Sequence, residues 1–166
     1  RDRSVSRGLG DVYKRQEIVR YDLSTQNSGE WTTIAKVNEA NQRGGVAFVV
    51  EDKVYAGLGE KSNGIRNGFY VSSDSLTKWE LIPSIPAQLG VISSGVYDEQ
   101  KKSFFMIDND GKIWEYNLTT EQWTSRSLWI RMKNYHMFML DGSIYILGQD
   151  IYQKNKFTVY NPIWDN

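Results

Sequence analysis

The chain has 166 residues, and its 20 Lys and Arg balance 20 Asp and Glu to a formal net charge of zero. That balance gives no long-range field for a polyanion or an anionic membrane surface, so nucleic acid is not an expected partner. Cys is absent, which removes disulfides and thiolate chemistry, and no apolar run approaches the roughly 20 residues of a membrane helix.

The segment from Arg1 to Gln16 is basic, contains glycine and has no apolar periodicity. Its end, Asp11-Val12-Tyr13-Lys14-Arg15-Gln16, back-translates as GAT GTG TAT AAG AGA CAG, which resembles the transposon end ligated to fragments for sequencing. Residues 1–16 are therefore expected to be an artefact or a disordered leader and are set aside for the fold. On this expectation the natural N-terminus lies upstream, and the absence of a signal peptide carries no information.

From Glu17 the pattern is of strands joined by tight turns. Glu17-Ile18-Val19-Arg20-Tyr21-Asp22 is the first, leading to Trp31. Asn38 to Arg43 has slight helical character but is too short and polar to nucleate alone. Val46 to Val50, the turn Glu51-Asp52-Lys53 and Val54 to Gly57 read as a hairpin. Phe69-Tyr70 then runs to Trp79. The next hairpin is Ile92 to Tyr97, a turn from Asp98 to Lys102, and Ser103 to Ile107. A further turn, Asp108 to Lys112, leads into Ile113 to Asn117 and on to Trp123. In Met137 to Leu140 and Ile144 to Gly148 the turn is Asp141-Gly142-Ser143, whose Asp-Gly supplies the positive φ of a type I′ hairpin.

Tyr21 to Trp31, Tyr70 to Trp79 and Tyr116 to Trp123 repeat one closing unit, with successive Trp residues 48 and 44 positions apart. Tyr160 followed by Trp164 begins a fourth copy. Four strands per unit at this period predict an all-β chain, a partial β-propeller of about three to four four-stranded antiparallel blades. The expected blades are 17–37 (partial), 42–86, 87–129 and 130–165. So few blades do not close a ring, so a larger protein is expected, with the missing blades of the same propeller as the first partner.

The units resemble those of kelch-type, galactose-oxidase-like propellers. Arg43-Gly44-Gly45-Val46-Ala47-Phe48 with Val54-Tyr55-Ala56-Gly57-Leu58-Gly59 is similar to that family's opening segment, and Tyr116-Asn117 to Trp123 to its closing one. The family's Gly-Gly doublet is replaced by Gly57-Leu58-Gly59, Ile107-Asp108 and Gly148-Gln149. Ser72-Ser73-Asp74-Ser75-Leu76-Thr77-Lys78-Trp79 is similar to an Asp-box, with Leu76 where the motif has Gly; that motif is structural wherever it occurs. The resemblance implies an exported bacterial protein, extracytoplasmic or at the cell surface.

Catalytic signals are sparse. His136 is the only histidine, has no ligand-type residue at i±2 or i±4, and reads as a structural strand residue. With one His and no Cys, the chain cannot carry the copper site of galactose oxidase. Asp108-Asn109-Asp110-Gly111 looks like half a calcium loop, but the chain passes directly into a strand, so turn chemistry is the expected role. Arginines show no sialidase-like cluster. No catalytic, metal or cofactor residue is assigned. Trp129, taken to lie in an inter-blade loop, and Tyr152, in the Gln149 to Lys156 loop, are the candidates for stacking a ligand such as a sugar. The expected function is a non-catalytic binding or scaffolding segment with a carbohydrate or protein ligand. The alternative is part of a propeller glycosidase or oxidase with its catalytic residues elsewhere.

Overall fold

The computed structural model describes residues 17–22, 29–36, 42–61, 68–73, 76–129 and 131–161. Regular structure there is entirely β: β1 Glu17–Asp22, β2 Glu30–Lys36, β3 Gln42–Arg43, β4 Val46–Val50, β5 Lys53–Gly57, β6 Glu60–Lys61, β7 Phe69–Ser72 and β8 Trp79–Leu81. Then follow β9 Ile92–Asp98, β10 Ser103–Asp108, β11 Lys112–Asn117, β12 Gln122–Trp129, β13 Lys133–Leu140, β14 Ser143–Gln149 and β15 Asn155–Tyr160. Three antiparallel sheets carry the architecture: β4-β5-β7-β8 (the first), β9-β10-β11-β12 (the middle) and β13-β14-β15 (the last). Two-stranded pairs β1-β2 and β3-β6 complete the set.

Each sheet is an antiparallel meander whose inner hairpin is closed by a short turn of two to four residues. Asp141 and Gly142 have φ of 50° and 72°, the two left-handed residues of the expected type I′ turn. The three inner hairpins share a register, with Phe48 opposite Tyr55, Val96 opposite Phe105 and Phe138 opposite Tyr145. Alternation then gives every sheet a leading face toward the preceding sheet and a trailing face toward the following one.

Two cores result. Between the first and middle sheets, Phe48 and Phe69 meet Phe104, Met106, Trp114 and Tyr116. Phe48 stacks on Phe104 with centroids 4.3 Å apart, and its ring lies 2.8 Å from where a Cβ on Gly95 would sit. Gly95 is thus the hole for that knob. Between the middle and last sheets, Val96, Phe105, Ile107 and Ile113 meet Tyr135, Met137, Ile144 and Ile146. β10 is buried along its whole length because both of its faces have a neighbour.

The closing Trp units agree only in part. Trp31 lies opposite Tyr21 and Trp123 opposite Tyr116, but Trp79 lies opposite Ser72, two residues beyond Tyr70. Ser72 occupies the Tyr position and its Oγ accepts the Val54 N–H at 2.8 Å. Equivalent places in successive blades would bury each ring against a neighbouring sheet, and Trp31 departs from that. Its ring is 67% exposed and packs on Tyr21 alone among the described aromatic rings. Of the stretch Asn38 to Arg43, read as too short and polar to nucleate a helix, residues 38–41 lie outside the described residues and Gln42–Arg43 pairs with Glu60–Lys61 as strand. Residues 1–16, Asp74 and Ser75 of the Asp-box-like turn, and Trp164 lie outside the described residues.

Leu58 is the one bulky apolar residue of the Gly57-Leu58-Gly59 variant, and its φ is 62°. A left-handed leucine is strained by about 1–2 kcal/mol. Complete burial of its side chain in the first core offsets that strain, and its carbonyl accepts the Ile92 N–H at 2.9 Å, tying first sheet to middle sheet.

Candidate functional site

The innermost strands β4, β9 and β13 stand side by side, and their N-terminal ends surround a cavity of about 530 Å³. Gly44 and Gly45 line it from the first sheet, Ser93 and Asn109 from the middle sheet, Asn134 and His136 from the last. Glu60, the carboxylate of the lining, comes from β6. Gly45 has φ of 97°, and a Cβ there would sit 2.4 Å from the Gly57 carbonyl, so only glycine allows β4 to enter beside β5.

The walls are fixed by hydrogen bonds across the sheets. Asn109 N–H donates to the Val91 carbonyl at 2.9 Å, and Ser93 Oγ donates to Asn109 Oδ1. Ser94 Oγ accepts the Met137 N–H at 2.9 Å, joining β9 to β13. Asn134 takes a left-handed conformation (φ 55°), which Asn tolerates, and its amide donates to Gln149 Oε1 at 3.1 Å. Gln149 Nε2 in turn reaches Asn155 Oδ1 at 3.4 Å. This amide ladder borders a second cavity of about 300 Å³, also lined by His136 and Leu147. Burial raises the Tyr135 pKa; its hydroxyl accepts the Met132 N–H at 3.2 Å, which works in the opposite sense. Burial first, and then carboxylates such as Glu51, Glu99 and Glu121, likewise raise Tyr55, Tyr97 and Tyr116 near the opposite strand ends.

Two Asp-centred turns frame the cavity end. Asp108 Oδ1 accepts the N–H groups of Asp110 (3.0 Å) and Lys112 (2.9 Å), and Oδ2 accepts Trp114 Nε1–H at 3.0 Å. Asp150 repeats the pattern with Tyr152 N–H (2.9 Å) and Lys154 N–H (3.0 Å), and Lys156 Nζ stands 3.6 Å from Oδ2. The i+2, i+4 and i+6 partners are the same in both. Asp108 is therefore committed to its turn, as the sequence suggested, and among the described residues no group of His, Cys, Asp and Glu could hold a metal.

Tyr152 sits on the Asp150 turn with 75% of its surface exposed, beside the second cavity's Gln149 and Asn155. Trp129 was expected in a loop; its backbone instead ends β12, paired with Lys112, and its side chain lies outside the described residues. The sequence reading missed Ser93, Asn109, Asn134 and the lining role of His136. Their signal was positional: each lies near the start of an inner strand or in the turn beside it, where a propeller converges on its axis.

No family model and no curated protein matches the chain. Among solved structures it is similar to "Structure of YjhT", with TM-score 0.62 at 9% identity, over 86% of this chain and 59% of that one. It is also similar to "Crystal structure of Nidogen/Laminin Complex", with TM-score 0.62 at 15% identity, over 93% of this chain and 57% of that one. The chain thus spans about three fifths of the length of these structures. Likeness at such identities speaks to the fold. With the sheet topology it defines the class: an all-β, partial β-propeller with three antiparallel sheets of three to four strands among the described residues.

Proposed function

We propose that the chain is a non-catalytic binding or scaffolding segment of a larger propeller, with the axial cavity as its ligand site. The observation that carries this is the lining: amides of Asn109 and Asn134, the Ser93 hydroxyl, His136 and the Glu60 carboxylate around one opening. Asn109, Asn134 and Ser93 donate and accept hydrogen bonds without charge, and with a single carboxylate among them the lining suits a hydroxyl-rich carbohydrate or an uncharged stretch of protein. The nidogen/laminin structure is of a complex between those two proteins, which supports the protein arm. The kelch-type and Asp-box resemblances and an exported, cell-surface setting belong to the same proposal. Tyr152, exposed on the Asp150 turn, and Trp129, whose backbone ends β12, are proposed to stack the ligand.

Calorimetric titration with neutral oligosaccharides and with uncharged peptides tests the reading. Asn134→Gly, which keeps the left-handed backbone, and His136→Ala should each weaken the bound class about tenfold or more while leaving the melting temperature nearly unchanged. Binding that ignores both substitutions, or measurable turnover of a glycoside or primary alcohol, would overturn it.

A further inference from the structure

The interface between the first and middle sheets is formed wholly within the chain, and its end away from the cavity is lined unlike the rest of that core. Tyr55 of β5, Tyr97 of β9 and Tyr116 of β11 gather around the sealed Phe104, with ring centroids 5.0, 5.4 and 6.4 Å from it. Burial raises the pKa of all three phenols, and the carboxylates that add to the shift are shared. Glu51 and Glu121 act on Tyr55, Glu99 and Glu51 on Tyr97, and Glu121 on Tyr116. Three phenols and three carboxylates therefore face one space.

The polar groups of this end are incomplete. Tyr116 is only 4% exposed, yet its hydroxyl makes no hydrogen bond to another described residue. The Trp123 ring lies 4.8 Å from it, and its buried Nε1–H also lacks a partner. Glu51, Glu99 and Glu121 are exposed on their turns, and none forms an ion pair among the described residues. Lys101, in the Glu99 turn, lies over the Phe105 ring on the other face of the sheet.

Uncompensated negative charge beside part-buried aromatic rings favours an organic cation. The carboxylates stand on three separate turns and do not gather into a group that could hold a metal. A planar guanidinium suits acceptors spread in this way. Its five N–H donors point outward in a fixed fork, its faces stack on aromatic rings, and it is more weakly hydrated than an ammonium. Because the carboxylates stand on exposed turns, they are reached by a guanidinium carried on another protein's surface.

We propose that this end of the interface binds an arginine side chain of a protein partner, with Glu51, Glu99 and Glu121 as counter-charges and the Tyr55, Tyr97 and Tyr116 hydroxyls as acceptors. It lies at the opposite strand ends from the cavity, so the inference does not rest on the ligand reading.

NMR titration of the full chain with a capped Gly-Arg-Gly peptide, and with its citrulline and lysine counterparts, tests it. The arginine peptide should shift the amides of the Glu51, Glu99 and Glu121 turns. Citrulline, which keeps the shape without the charge, should bind more than about tenfold more weakly, and lysine clearly more weakly than arginine. Glu121→Gln and Tyr116→Phe should each weaken arginine binding about threefold to tenfold with the melting temperature nearly unchanged, because neither side chain holds a hydrogen bond in the fold. Asn134→Gly, in the cavity lining, should leave arginine binding as it is. Absent binding, equal binding of the citrulline or lysine peptide, or indifference to both substitutions overturns the proposal. Methylguanidinium binding as tightly as the peptide would assign the site to a small cation and overturn the partner. Loss of arginine binding in Asn134→Gly would place the peptide in the cavity instead.

Discussion

Phe105 of β10 and Tyr145 of β14 hold the same register position, each opposite an inner-strand residue of the same hairpin. Phe105 is sealed, whereas Tyr145 is only part-buried. The middle sheet has a sheet on either side, while the last sheet has its described neighbour on one side. Burial here is a property of the neighbour. Strand sequence supplies the apolar alternation, and the stacking of sheets decides which faces lose water.

The largest expected effect tests that contrast directly. Phe105→Ala should destabilise the chain by about 3–5 kcal/mol, because it opens a cavity between two packed sheets. Phe157→Ala, at a dilution that keeps the chain monomeric, should stay within about 0.5 kcal/mol, as for an ordinary surface change. Urea unfolding of the two variants makes the comparison. Equal losses would mean that the last face is covered in the monomer.

The two Asp turns sharpen it. Asp108 is buried and holds two backbone N–H groups and the Trp114 indole, whereas Asp150 holds its two backbone N–H groups part-buried, nearer the surface. Asp108→Ala strands those donors and should cost about 2–4 kcal/mol, given the penalty for buried unpaired groups. Asp150→Ala should cost clearly less, since water replaces the carboxylate. Thermal melts in which the two losses coincide would show that burial is not what separates the turns.

A smaller effect concerns the knob and its hole. Gly95 lies in a regular strand without a positive φ, so its glycine is required by space alone: an added Cβ would meet Phe48 at 2.8 Å and Met106 at 2.9 Å. Gly95→Ala should cost about 1–3 kcal/mol by overpacking. Phe48→Leu should recover part of that loss, and a double-mutant cycle measures the coupling. Strict additivity would mean that the Phe48 ring is not the obstacle.

Much of the fold was legible because turn chemistry is local. Asp141-Gly142 announces its hairpin, and the Tyr-to-Trp unit marks the outer strands without reference to any neighbour. Exposure was not legible. Trp31 and Trp123 belong to the same unit, yet Trp31 is exposed because nothing among the described rings but Tyr21 meets it. The slip at Trp79 was hidden because Ser72 replaces the aromatic partner and Tyr70 lies two residues away, where spacing alone could not distinguish them. The cavity lining stayed hidden for a related reason. Ser93, Asn109, Asn134 and His136 are separated along the chain and share no motif; only the convergence of three inner strands assembles them.

The smallest expected effect is a pH dependence at the Asp150 turn. The Lys154 N–H, followed by the Tyr152 N–H and the Lys156 ammonium, holds the Asp150 carboxyl below the usual carboxylate range, although desolvation opposes the shift. A carboxyl depressed in the folded state favours the fold in its charged form. Its contribution is complete above the unfolded carboxylate's pKa and is lost as pH falls through the lower, folded value. Acidification should therefore loosen the 150–154 turn, seen by NMR as a titration of the Asp150 carboxyl carbon and faster exchange of the Lys154 amide. Salt should move the midpoint up only slightly, because it screens Lys156 and leaves the two backbone donors in place. Asp150→Asn should abolish the transition at that amide. A midpoint at or above the ordinary carboxylate value would show that the backbone donors do not grip the charge, and that the two turns differ in more than burial.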